Sequence, residues 1–124
     1  MPNIIHHTTS YKILGILFEV HNNLGKGFLE IVYKDAIEYE LNQSKIHFDR
    51  EREYEVNYKQ TILSHKFYAD FVIFDKIILE VKSCKHISDS HIAQAMNYLK
   101  ISHNQLAIIA NFNNESLEYK KIII

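Results

Sequence analysis

The middle of the chain reads Ala69-Asp70-Phe71-Val72-Ile73-Phe74 and then, after two residues, Ile77-Ile78-Leu79-Glu80-Val81-Lys82. Both stretches are mostly apolar at successive positions, which predicts two neighbouring strands at the centre of a sheet that is covered on both faces. Three charged residues nevertheless lie within them: Asp70, Glu80 and Lys82. Burying charges costs several kcal/mol per ion unless they pair or bind an ion that compensates for the lost hydration.

The connection between the two strands decides whether these charges can meet. Side chains alternate across a strand, so Glu80 and Lys82 share a face. A two-residue loop at Asp75-Lys76 would place Asp70 on the opposite face. We therefore predict a three-residue connection, or a bulge, near residues 74–77, because only then does Asp70 join the other two charges.

With that connection, the three charges suit a divalent metal site. Carboxylate oxygens are ligands that Mg²⁺ and Mn²⁺ prefer, and these ions need only one or two carboxylates besides water and phosphate oxygen. An ion held by Asp70 and Glu80 would lower the pKa of a bound water, while Lys82 could position that water or neutralise developing charge. This spacing is typical of metal-dependent phosphodiester nucleases. The alternative is a structural ion-pair network without a ligand, which requires Lys82 to contact both carboxylates directly.

Length and charge limit the remaining possibilities. The chain has 124 residues, which predicts a single domain over residues 1–124. A net charge of -1 argues against a strongly basic nucleic-acid binder. The single cysteine, Cys84, cannot form an internal disulfide, and no apolar run approaches the roughly 20 residues of a membrane span. We therefore expect a cytoplasmic protein that does not associate with a membrane. Five scattered basic residues could form a phosphate-tracking rim or simply a solvated surface: Arg50, Arg52, Lys66, Lys85 and Lys100.

Apolar spacing predicts the element order α-α-β-β-β-α-β with a mixed sheet. The first helix is expected over residues 11–24 with Ser10 as its N-cap, and Gly25-Lys26-Gly27 ends it. A second helix over residues 29–43 should turn these residues inward: Val32, Ala36, Ile37, Glu40 and Leu41. Strands are expected at residues 50–58 on a sheet edge and at residues 67–74, 77–82, 106–110 and 117–124.

A third helix, predicted over residues 88–101, follows the charged hairpin directly. Its apolar stripe consists of Ile92, Ala95, Met96 and Leu99. A neighbouring stripe carries His91, Gln94 and Tyr98. Those three side chains could line the mouth of a cleft and bind phosphate, a base or Lys82, or they could be ordinary boundary residues between core and solvent.

The order Asp70, Glu80-Val81-Lys82 and then Gln94-x-x-x-Tyr98 resembles the PD-(D/E)XK nuclease superfamily in its RecB-like form. The segment Gly27-Phe28-Leu29-Glu30-Ile31-Val32-Tyr33 is similar to the signature of the GxxExxY proteins, a small prokaryotic group assigned to that superfamily. The likeness covers about residues 10–113. It implies an α/β fold with a restriction-endonuclease-like αβββαβ core, in which a mixed central sheet is flanked by helices.

The resemblance also implies roles for particular residues. It implies a site for Mg²⁺ (or Mn²⁺) from Asp70, Glu80 and the Val81 carbonyl, with Lys82 as the catalytic lysine. Glu30 would reach the same cleft, although helix capping explains a glutamate at that position equally well. Further contacts to catalytic groups or substrate are implied for four residues: Gln94, Tyr98, His91 and Tyr33.

Two functions follow from these expectations. The first is a divalent-metal-dependent phosphodiester hydrolase that acts on nucleic acid, with DNA rather than RNA as the expected substrate. The alternative is a non-catalytic module that keeps the nuclease fold and binds nucleic acid or a protein partner. The apolar end Ile122-Ile123-Ile124 could pair at a sheet edge or lie in the interface of a homodimer.

Overall fold

A computed structural model describes residues 6–124, in which a five-stranded mixed sheet lies between helices. The helices are α1 (His7–Leu24), α2 (Glu30–Gln43) and α3 (Asp89–Ser102). The sheet strands are β1 (Phe48–Tyr54), β4 (Phe67–Ile73), β5 (Ile77–Lys82), β6 (Leu106–Asn111) and β7 (Glu118–Ile123); a separate ribbon pairs β2 (Asn57–Tyr58) with β3 (Thr61–Ile62). The sheet order is β1-β4-β5-β6-β7, and only β5 and β6 run parallel. The predicted mixed sheet flanked by helices is confirmed.

The start of α1 and the end of β1 differ from the sequence prediction. Helix α1 begins at His7, so Ser10 is not its N-cap but lies within the first turn, where its Oγ donates to the His7 carbonyl. Strand β1 is at the sheet edge, as predicted, but ends at Tyr54, and the chain then forms the small β2–β3 ribbon.

No helix within residues 6–124 is both long and apolar enough to cross a membrane.

The sheet is covered on both faces, as the apolar strands predict. Helices α1 and α2 pack on one face, where Ile37 and Leu41 of α2 share a core with Leu79 of β5. Helix α3 packs on the other face, where Leu99 lies against Ile78. The first five residues of the predicted domain lie outside the described residues.

The inward faces of α2 and α3 are only partly as predicted. On α2, Ile37 and Leu41 are buried as predicted, and Tyr33 and Lys34 are buried as well. The other three predicted members are only half-buried: Val32, Ala36 and Glu40. On α3, Tyr98 is in the core, whereas Met96 is 38% exposed. In each helix a side chain with a polar end lies on the inward face: Lys34 contacts Asp70, and Tyr98 donates to the Tyr68 carbonyl.

The β4–β5 hairpin has the predicted three-residue connection. Phe71 pairs with Leu79 and Ile73 with Ile77, which leaves Phe74-Asp75-Lys76 as the loop. Phe74 and Asp75 both adopt left-handed backbone conformations, with φ of 54° and 57°. The Phe74 amide is held by the His47 carbonyl at 2.9 Å, which anchors the loop to the segment before β1. This register brings Asp70 opposite Glu80.

Candidate active site

Asp70 and Glu80 lie side by side where β4 and β5 part. The backbone ladder between the two strands stops at the Phe71–Leu79 pair, and side chains replace it beyond that point. The Asp70 amide donates to Glu80 Oε2 at 2.9 Å, and the Val81 amide donates to Asp70 Oδ2 at 2.8 Å. Each carboxylate is therefore fixed by a backbone N–H of the other strand, which holds two acidic groups together in the sheet.

Burial makes the ionised form of Glu80 costly. The residue is 4% exposed, and burial together with the charge of Asp70 raises the pKa of Glu80 to about 8. Lys82 and Lys34 act in the opposite direction but do not cancel the effect. At neutral pH Glu80 thus retains its proton unless a further cation compensates its charge.

Lys34 of α2 is the cation that contacts Asp70. Its Nζ lies 3.0 Å from Asp70 Oδ1 and also forms an ion pair with Glu51 of β1. The Lys34 side chain is 11% exposed and that of Asp70 15%. Burial alone would lower the pKa of Lys34, but the hydrogen bonds to Glu51 and Asp70 outweigh it and raise the pKa above 10.5. Lys34 therefore stays charged inside the cluster.

Lys82 lies on the other side of the site, where it faces α3. Its Nζ donates to Gln94 Oε1 at 3.2 Å. Within residues 6–124 it forms no ion pair with either carboxylate, although its charge lowers the pKa of Glu80. The sequence left open an ion-pair network without a ligand, in which Lys82 contacts both carboxylates. That arrangement is wrong, because the lysine that pairs directly with Asp70 is Lys34.

Tyr98 and His91 both have internal hydrogen-bond partners. The Tyr98 hydroxyl donates to the Tyr68 carbonyl at 3.0 Å, and burial beside Glu80 and Asp70 raises the pKa of Tyr98 to about 12. His91 closes a capping box at the start of α3, since its Nδ1 accepts from the Ser88 amide at 3.1 Å. Their predicted contacts to substrate stay predictions.

Tyr33 and Glu30 lie at the start of α2, at opposite extremes of exposure. Tyr33 is fully buried, stacks on Phe112 at 4.6 Å and donates to the Gly25 carbonyl at 2.7 Å. Its predicted contact to substrate stays a prediction that this burial does not favour. Glu30 is exposed on the first turn, one turn before Lys34, and its place in the cleft likewise stays a prediction.

Residues 7–122, nearly the whole chain, match the family described as the PD-(D/E)XK nuclease superfamily. The chain belongs to this superfamily. Members generally use divalent metal ions. A search of curated proteins found no match.

Two solved structures are similar to this PD-(D/E)XK chain in fold. One, named SSO0001, has a TM-score of 0.58 and 21% sequence identity over 74% of this chain and 48% of its own. The chain thus spans about half the length of that protein. The other is an alkaline exonuclease (LHK-Exo) from Laribacter hongkongensis, with a TM-score of 0.55 and 10% identity over 99% of this chain and 72% of its own.

The donor set of this PD-(D/E)XK site fits a hard divalent cation. Residues 6–124 contain no cluster of three or more acidic, histidine or cysteine side chains arranged to hold a metal. Asp70 and Glu80 form a pair, which is sufficient for ions such as Mg²⁺ that keep several waters. Burial and the charge of Asp70 raise the pKa of Glu80, so a cation bound between the two carboxylates would favour its ionised form.

The sequence prediction missed Lys34 and Glu51. Lys34 precedes Ile37 by three residues and Leu41 by seven, so it occupies the inward stripe of α2, and a lysine on an apolar stripe was the available signal. Glu51 gave no such signal. Its side chain reaches Lys34 from a residue whose φ is 56°, and strand periodicity does not predict this left-handed conformation.

Proposed function

We propose that this PD-(D/E)XK chain is a hydrolase of nucleic-acid phosphodiesters that uses Mg²⁺ or Mn²⁺, with DNA rather than RNA as its expected substrate. The observation that carries the proposal is the pair Asp70 and Glu80, which lie side by side within the sheet, with Glu80 buried and the side chain of Asp70 15% exposed. Membership of the superfamily and the fold shared with an exonuclease support it. The segment Gly27 to Tyr33 further suggests that the chain is a GxxExxY protein of RecB-like type.

Each residue of the site has a definite task in this proposal. Asp70 and Glu80 hold the ion, with the Val81 carbonyl as a third protein ligand. When bound, the ion lowers the pKa of a water and stabilises charge on the phosphate during an in-line displacement. Lys82 orients the attacking water or neutralises developing charge, and Gln94 fixes the position of the Lys82 ammonium. Glu30 would approach the same cleft from the first turn of α2.

The test combines calorimetric titration with Mg²⁺ and Mn²⁺ and a cleavage assay on single- and double-stranded DNA and RNA. Asp70→Asn and Glu80→Gln are expected to weaken ion binding by roughly tenfold or more and to abolish cleavage while the protein stays folded. Lys82→Ala should retain ion binding and lose cleavage. Asp35→Asn is the matched control, because Asp35 is an exposed carboxylate that pairs with Arg50 away from the site.

The proposal is wrong if the wild type binds neither ion and Asp70→Asn unfolds, since the pair would then be a structural feature. The non-catalytic module remains the second candidate. This candidate is favoured by the pairing of both arginines with carboxylates, because arginines engaged in this way are less available to bind the phosphates of a duplex. Nucleic-acid binding without cleavage in either ion would support it.

A further inference from the structure

Two carboxylates of the candidate site, Asp70 and Glu51, share one directly bound ammonium group, and a third carboxylate, Glu80, lies beside Asp70. Lys34 contacts Asp70 and Glu51, and Asp70 in turn is hydrogen-bonded to Glu80 through its own amide. When all three acids are ionised, Lys34 neutralises one of them, and Lys82, which acts on Glu80 without direct contact, offsets part of the remaining negative charge. A divalent cation would compensate for what is left. The ammonium group, however, lies on Asp70 Oδ1, which is an oxygen that the ion would use.

Glu51 gives Lys34 a second partner at the cost of a strained backbone. The β1–β4 ladder is regular on both sides of Glu51, with Arg50 opposite Phe71 and Arg52 opposite Ala69. Glu51 itself has a φ of 56°, which is uncommon for a residue other than glycine and unfavourable within a strand. This local distortion directs its carboxylate to Lys34 from the outer strand. Lys34 can therefore leave Asp70 and still be paired.

We propose that Lys34 is the internal counter-ion of the metal site: it neutralises Asp70 in the metal-free protein and moves wholly onto Glu51 when the divalent ion binds. The inference rests on the proposed function, since it assumes that Asp70 is a metal ligand. Lys34 is in this sense a positioning residue that competes with the ion. Its ammonium group offsets the charge of Asp70 beside Glu80 before the metal is present, and it lowers the affinity for the metal by the same contact.

The experiment measures ion affinity by calorimetry and the melting temperature in EDTA for Lys34→Met and Lys34→Arg. Lys34→Met should bind Mn²⁺ and Mg²⁺ roughly tenfold more tightly than the wild type and melt at a lower temperature when metal-free. Lys34→Arg keeps the charge and should return both quantities towards wild-type values. Lys66→Met is the matched control, because Lys66 also bridges two carboxylates, Glu53 and Glu55, but at an exposed place.

A double-mutant cycle tests the part that Glu51 plays. Glu51→Gln leaves Lys34 with Asp70 as its only partner and should weaken ion binding several-fold in the wild-type background. The same substitution should have a smaller effect when Lys34 is already Met, because its influence passes through the lysine.

The outcomes separate this inference from the proposed function. If the wild type binds ions and Lys34→Met leaves the affinity unchanged or lowers it, Lys34 is only a structural ion pair and the inference is wrong. A merely structural lysine affects the melting temperature but does not restrain metal binding. If the wild type binds no ion, the proposed function fails, and the competition fails with it.

Discussion

Glu80 carries a charge that depends on what surrounds it. Its carboxyl is buried beside the charge of Asp70, so the neutral acid is favoured until a cation balances it, although the hydrogen bond from the Asp70 amide acts in the opposite direction. In the unfolded chain the same group ionises near its ordinary pKa of 4.5. The folded protein therefore binds more protons than the unfolded chain between pH 4.5 and about 8, which makes stability depend on pH.

This dependence predicts the behaviour of Glu80→Gln in EDTA. The contribution of Glu80 is fully present below pH 4.5 and is lost as the pH rises through about 8. From pH 5 to 9 the wild type should lose stability relative to Glu80→Gln by up to a few kcal/mol, since one pKa unit corresponds to about 1.4 kcal/mol. Urea unfolding at a series of pH values measures the difference.

The control for that series is Glu115→Gln. Glu115 is exposed, and its hydrogen bond to Lys26 lowers its pKa, so its proton equilibrium lies at more acidic pH. Its difference from the wild type should stay constant between pH 5 and 9. An equally constant difference for Glu80→Gln would show that Glu80 is ionised in the fold without a metal.

Asp70, Glu80 and Lys82 could be identified from sequence because each is a charge within an apolar strand. Lys34 could have been identified in the same way from the stripe of α2, but helix faces tolerate a lysine at their border, which weakens the signal. Glu51 could not be identified. Its neighbours are also charged, and its contribution depends on one backbone angle that side-chain patterns do not specify.

The β4–β5 hairpin shows why an element can be more predictable than its ends. Side chains alternate between the two faces of each strand, so Asp70 can face the same side as Glu80 only with certain loop lengths. This requirement predicts the length of the loop without specifying its conformation. The start of α1 was less predictable, because Ser10 is a good N-cap residue and also fits within a first turn. The end of β1 at Tyr54 depends on the separate β2–β3 ribbon.

Asn111 at the end of β6 ties the segment between β5 and α3 to the sheet. Its Oδ1 accepts from the Cys84 amide at 3.0 Å, and its Nδ2 donates to the Cys84 carbonyl at 2.9 Å and to Glu118 Oε1 at 2.9 Å. The residue is fully buried. This clamp begins two residues after Lys82 and so restricts the strand end that carries the lysine.

Asn111→Ala is expected to destabilise the protein by about 1–3 kcal/mol, because it leaves the partly buried amide and carbonyl of Cys84 without their partner. Urea unfolding in EDTA measures the loss. Asn113→Ala, the same change two residues further on, should alter stability by less than about 0.5 kcal/mol, since Asn113 is half-buried and its side chain is not part of the clamp. Equal losses in both variants would contradict the role of the clamp.

Across the whole molecule, the basic residues near β1 are already neutralised. Arg50 pairs with Asp35 and Glu38, while Arg52 pairs with Asp49 and Asp75. Lys66, a further member of the rim that the sequence suggested, bridges Glu53 and Glu55. Sequence alone could not separate a phosphate-tracking rim from paired surface charges, because pairing depends on which acids the fold brings near.

This pairing predicts a weak dependence of nucleic-acid binding on salt. Arg50, Arg52 and Lys66 are engaged with acids and contribute little to displacing the counterions of a phosphate backbone, so the logarithm of the binding constant should fall with that of salt concentration with a slope no steeper than about -4. Fluorescence anisotropy with Lys82→Ala, which should bind without cleaving, gives the slope. A slope steeper than about -6 would reveal a basic groove.

Strand β1 is one outer edge of the sheet, and its sequence discourages growth of the sheet in that direction. Five consecutive residues, 49–53, are charged, and the left-handed Glu51 interrupts the regular row of amides and carbonyls that another strand would need. Edge strands of this kind are poor partners for a strand of another molecule, which reduces aggregation and domain swapping. If two copies of the chain join by extending their sheets, the seam is therefore at β7, where Ile123 is 55% exposed.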